Sequence, residues 1–174
     1  MMKYPDAYIR YLVHFHGDRD YFECHEILEE YWKELGKPQD PVWVGLIQLA
    51  VALYHQRRGN FAGGMKMMAS AIRNLETTRA SVRQLGLDDR KLLALLRQRL
   101  AGLEQNQPYT SLNLPFSDEQ LLLACSDLCR QNGMTFGQPS DESNRFLLHK
   151  HTLRDRSGVI SERLNSLKNK HGQS

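Results

Sequence analysis

Two stretches of the chain carry side chains able to do chemistry: His25-Glu26 followed by Glu29 and Trp32, and Gln48 followed by His55 and Asn60. On a helix His25 and Glu29 are neighbours one turn apart, with Trp32 on the same edge. Gln48 and His55 share a stripe with Gly45 and Ala52, because seven residues make nearly two full turns. Two imidazoles with carboxylates at the edge of an apolar face suit three roles. Metal-dependent hydrolysis would use His25, Glu29 and His55 around a divalent transition ion that keeps a position open for water. A metal-free pocket for a small molecule or a peptide would use both histidines as donors, with Trp32 or Tyr54 as apolar walls. A buried hydrogen-bond network would only fix helix register. The helical zinc-hydrolase signature is incomplete, since Glu29 stands where the second histidine belongs.

The elements that must position these residues are helical. Tyr4, Tyr8, Tyr11, Leu12 and Phe15 recur at helical spacing up to Gly17. Asp20 with Glu23 reads as a cap and capping-box partner, which starts a second helix over about 21–35, before Gly36 and Pro38. The segment 42–54 is apolar almost all round behind Pro41, so it is expected to be the central and most buried helix, packed beside the second. Gly59 and Asn60 stop it and cap a fourth helix expected over 61–85. A fifth opens at Asp88 or Asp89 and carries Leu92, Leu95, Leu96, Leu100 and Leu103. A sixth is expected to open at Ser117 with Gln120 and to run toward Gly133. No strand alternation is evident, and the expected class is an all-α bundle of about six helices over 1–136, with a linker and a basic helical tail over 137–174.

The run Tyr21-Phe22-Glu23-Cys24-His25-Glu26 with Leu28-Glu29 and Trp32, followed by Gly45-Leu46-Ile47-Gln48, His55, Gly59-Asn60 and Gly63, resembles domain of unknown function 309, a prokaryotic family of small helical proteins. The resemblance covers roughly residues 10–75. It implies a helical fold in which the two blocks meet, with His25, Glu26, Glu29, Trp32, Gln48, His55 and Asn60 at the family's signature positions. It implies no activity. Gly64 stands where an alanine is expected, a departure that bears on helix packing alone.

Composition narrows the remaining classes. With 41% hydrophobic and 25% charged residues, the chain is globular rather than disordered. No apolar run approaches the roughly 20 residues of a membrane span, and the start lacks a signal peptide's apolar stretch, so the expected location is the cytoplasm. Three cysteines, two of them four residues apart at Cys125 and Cys129, read as reduced and structural. Residues 145–174 hold seven Lys/Arg against Asp155 and Glu162, a net +5 in a chain of net +3. Such a tail suits a salt-dependent, non-specific contact with an anionic polymer. Neither a nucleophile elbow nor a phosphate-cradling glycine loop is present. The function expected from the sequence is an interaction or ligand-binding module with a buried His/Glu/Gln cluster, the alternative being a metal-dependent hydrolase. The partner, any cofactor beyond a divalent metal, and homo-oligomer formation are left open.

Overall fold

The computed structural model describes residues 3–150. Among these, eight α-helices run in the order α1 (Asp6–His16), α2 (Tyr21–Glu34), α3 (Val42–Arg57), α4 (Phe61–Glu76), α5 (Arg79–Gln84), α6 (Asp89–Glu104), α7 (Glu119–Gln131) and α8 (Arg145–Leu148). The only strand-like pairing among the described residues is one isolated antiparallel bridge between Leu87 and Phe116. The fold is all-α. Six helices exceed two turns, as the periodicity predicts, and α5 and α8 are short additions. Residues up to 140 make one compact unit, and those from 141 onward a second that holds α8. The expected tail helix, with Ile160, Leu164 and Leu167, lies outside the described residues.

Local chemistry sets the boundaries. Gly17 closes α1, its N–H reaching Val13 O at 2.8 Å, and a Cβ there would meet that same oxygen at 2.7 Å. Asp20 caps α2 by accepting the Glu23 N–H at 3.1 Å, Asn60 caps α4 through Gly63 N–H at 3.0 Å, and Asp88 caps α6 through Lys91 N–H at 3.0 Å. Two expectations shift. The helix expected over 61–85 breaks at Thr77–Thr78, where the Thr78 hydroxyl turns to Asp40 Oδ1 at 2.5 Å, and Ser81 donates to Asp40 Oδ2 at 2.5 Å. A β-branched pair, with the Thr77 hydroxyl bonded back to Asn74 O at 3.0 Å and the Thr78 hydroxyl bonded away from the helix, is a weak place to continue a helix. The sixth long helix is capped by Asp118, one residue beyond the expected Ser117, and the Asp118 carboxylate accepts from the N–H groups of Gln120 and Leu121.

Packing runs through neighbours in a chain: α7 lies on α1, α1 on α2, α2 on α3, α3 on α4 and α4 on α6. Helix α3 sits between α2 and α4, which explains its apolar surface on nearly every side. Gly45 allows the close approach of α4, because a Cβ there would stand 2.8 Å from Leu75 Cγ. The aromatic stripe of α1 is core, with Tyr8, Tyr11 and Phe15 wholly buried, and the two hydroxyls are satisfied by Leu85 O at 2.7 Å and Leu46 O at 2.8 Å. Cys24, Cys125 and Cys129 are buried free thiols. Burial pushes the Cys125 thiol up to about 12, as suits an inert, structural thiol. Among the described residues no helix is long and apolar enough to cross a membrane.

Candidate functional site

Helix α2 carries a charged ladder at four-residue spacing. His25 Nε2 lies 2.5 Å from Glu29 Oε2, and Lys33 Nζ lies 3.0 Å from Glu29 Oε1. Partial burial pushes the Glu29 carboxyl up, but the Lys33 and His25 bonds and charges outweigh it and hold the group below its ordinary value. Trp32, one turn on, is half-buried; its Nε1–H is out of water without a hydrogen-bond partner, and Lys37 Nζ stands 5.7 Å from its ring. Glu26 is half-buried on the same helix.

The α3 residues take other partners. Gln48 turns to α4, where its Oε1 accepts from Asn74 Nδ2 at 2.7 Å. Asn60 does two jobs: its Oδ1 caps α4, which orients the amide so that Nδ2–H donates to His55 Nδ1 at 3.3 Å. An imidazole that accepts at Nδ1 is neutral with its proton on Nε2. Burial, and then the charge of Arg58, lower the His55 pKa in the same sense.

Between the two histidines stands a row of rings. Phe22 lies 5.8 Å from His25 and 6.0 Å from Tyr54, and Tyr54 lies 6.0 Å from His55, with Arg58 Cζ 5.8 Å from the Tyr54 ring. The contacts of these residues form three local pairs, His25 with Glu29, Gln48 with Asn74, and His55 with Asn60. In place of the expected buried cluster, His25, Phe22 and His55 are half-exposed around the buried Tyr54. Phe22 of α2 and Tyr54 of α3 meet at 6.0 Å, and each histidine lies against one of these two rings. Among the described residues no group of three or more His, Cys, Asp or Glu is placed to hold a metal ion.

Sequence reasoning missed a second polar assembly, deeper than the first. Arg19, 1% exposed, donates to the carbonyls of Phe15 (3.2 Å), Leu112 (2.7 Å) and Gln138 (2.8 Å) and to Asn113 Oδ1 (2.7 Å). Arg57, 7% exposed, stacks over Tyr21 at 4.6 Å and Tyr109 at 5.6 Å and donates to Arg19 O at 2.7 Å. The Tyr21 and Tyr109 hydroxyls meet at 2.5 Å, and Tyr109 also meets Ser140 Oγ at 2.7 Å. One signal was readable: Arg57 continues the buried register Leu46, Ala50, Leu53, so an arginine stands where the pattern asks for an apolar residue. Arg19 and Tyr109 lie outside helices and gave none.

A model of the family described as Domain of unknown function (DUF309) matches residues 8–67. The Uncharacterized protein YpuF of Bacillus subtilis (strain 168) is 55% identical over 161 residues, which span 92% of each chain. The chain belongs to the DUF309 family. No solved structure matches it. The ring row, the His25–Glu29 pair, the His55–Asn60 pair and both Arg19 and Arg57 fall inside the family-matched stretch. The family description names no activity, so what this DUF309 chain does rests on its own geometry.

Proposed function

We propose that this DUF309 protein is a binding module whose α2–α3 rim engages a segment of a partner protein. The observation that carries the reading is the row from His25 through Phe22 and Tyr54 to His55, half-exposed at all but Tyr54 and flanked by Glu29, Lys33 and Arg58. A core network would bury such groups, whereas here Phe22 offers an apolar face and the imidazoles offer directed polar contacts beside it. The partner segment would place an apolar or aromatic side chain on Phe22 and hydrogen-bond acceptors at the protonated nitrogens of the rim. Hydrolysis through His25, Glu26, Glu29 and His55 has no matching donor set among the described residues. Elemental analysis of protein purified without chelator is expected to find no stoichiometric transition metal.

The test places a photo-crosslinking side chain at Phe22, and at exposed Arg90 on α6 as a control, in cells producing the chain. The expected result is a defined adduct at position 22 alone, with a partner that binds the purified chain and loses about tenfold in affinity on His25→Ala or His55→Ala. Equal adducts at both positions, or an identified partner whose binding ignores both histidine variants, would refute the reading.

A further inference from the structure

Beyond the deep arginines, near the C-terminal end of α3, a cleft of about 400 Å³ opens between Gln56 of α3, Gln98 and Arg99 of α6, and the loop that carries Thr110, Ser111 and Asn113. Its volume is in the range of small-molecule sites. Its lining holds no Asp or Glu, and its one charged residue is Arg99.

Arg99 is a half-buried cation bonded only to neutral acceptors. Nη1 donates to Gln56 Oε1 at 3.1 Å and Thr110 O at 2.7 Å, and Nη2 donates to Thr110 Oγ1 at 3.0 Å. These bonds use both Nη1 protons and one of the two on Nη2. The edge formed by Nε–H and the second Nη2–H stays uncommitted, and it is the edge that holds an oxyanion through two parallel hydrogen bonds. On the far side of the same loop, Arg19 bonds Leu112 O and Asn113 Oδ1, so a second guanidinium adds its charge without a carboxylate partner among the described residues. Two such cations in a partly desolvated environment favour an anion from solution.

The geometry points to an oxyanion-binding cleft at Arg99, with a ligand of metabolite size that carries a terminal phosphate or carboxylate and a polar body read by the amides of Gln98 and Asn113. This site is separate from the α2–α3 rim and stands or falls independently of it. A structural role alone, in which Arg99 merely ties the loop to α6, predicts no ligand.

The test is calorimetry together with the Arg99 Nε–H signal in NMR, on the full chain, with four probes: inorganic phosphate, adenosine monophosphate, citrate and uncharged adenosine. The expected result is binding of at least one anionic probe with a Kd of about 1 mM or tighter, a shifted Arg99 Nε–H, and no binding of adenosine. Phosphate-bearing probes against citrate decide which oxyanion is preferred. Arg99→Gln is expected to abolish binding, and Arg99→Lys, which keeps the charge and loses the fork, to weaken it about tenfold with the cooperative melt retained. If no anion binds, or if anions bind equally to the wild type and to a folded Arg99→Lys chain, the assignment is overturned.

Discussion

Acidification is expected to destabilise this fold chiefly through His16. The ring is wholly buried, stacked on Phe136 at a centroid distance of 4.5 Å, and both nitrogens are committed. Nδ1–H donates to Leu12 O at 2.8 Å, and Nε2 accepts the Leu114 N–H at 3.0 Å. A second proton on Nε2 would face an N–H donor, so the folded state holds the imidazole neutral. Burial is the main cause of a pKa pushed down from 6.5 to about 3, opposed by the Leu12 bond and assisted by the charge of Arg19. The unfolded chain protonates near 6.5 and the folded one does not, so stability falls as pH drops from 6.5 toward 3. At pH 4 the deficit is about 2.5 pH units at about 1.36 kcal/mol each, or about 3 kcal/mol, a large share of the roughly 5–15 kcal/mol that holds a domain together. The assay is urea unfolding at pH 7, 6, 5 and 4 for the wild type and His16→Gln, with the ring followed by NMR. The wild type should lose about 3 kcal/mol more than the variant over that range, and the His16 ring signals should not titrate above pH 4. A His16 that titrates near 6 in the folded protein, or parallel stability profiles for the two chains, would refute the reasoning.

Other substitutions follow from the same geometry. His14, half-exposed beside Asp18 at 3.1 Å, has its pKa raised by that bond, so its contribution is present in acid and lost as pH rises through its folded value; in Asp18→Asn, NMR titration should find the His14 pKa returned toward 6.5. In Gly45→Ala the new Cβ meets the branch point of Leu75 at 2.8 Å. That overpacking should cost about 1–3 kcal/mol in chemical unfolding. Gly64→Ala places its Cβ 2.9 Å from the movable Leu103 Cδ2. It should come out within about 1 kcal/mol of neutral, since better helix propensity offsets the crowding. Tyr109→Phe removes the hydroxyl shared by Tyr21 and Ser140. The variant should lose about 1–2 kcal/mol of stability with its helical circular dichroism unchanged.

The helices were legible because periodicity and capping both report local chemistry. Asp20 and Asn60 are caps in the structure as they are in the sequence, and the apolar circumference of α3 does mark the helix packed between two others. The break at Thr77–Thr78 was not legible, because it depends on Asp40, nearly forty residues away, accepting from Thr78 and Ser81. For the candidate residues, relations along one helix were legible and those between helices were not. His25 with Glu29 is a one-turn relation that a helical wheel gives directly. That His55 belongs to Asn60, and Gln48 to Asn74, depends on how α4 enters and leaves its contact with α3. A wheel drawn for a single helix holds no such information.

The same distinction explains why the deepest polar assembly escaped the sequence. Apolar burial is non-directional, so it can be read as a stripe, whereas a buried cation is tolerated only where several acceptors are aimed at it. For Arg19 those acceptors are mostly backbone carbonyls, of Phe15, Leu112 and Gln138, and a carbonyl carries no side-chain signature. The arrangement gives the loops 107–113 and 134–140 an anchor they could not obtain from their sparse apolar residues. One guanidinium holds both loops to the α1–α2 corner, where Arg19 itself takes a positive φ of 58°. Arg57 then fixes that corner by donating to the Arg19 carbonyl, so the loop that walls the Arg99 cleft is held through the α1–α2 corner by the last turn of α3. Helix α3 thus supports both surfaces: Tyr54 and His55 reach the rim on one side, and Gln56 and Arg57 organise the cleft on the other. Four consecutive residues at the end of one helix divide between two surfaces because successive side chains diverge by about 100°.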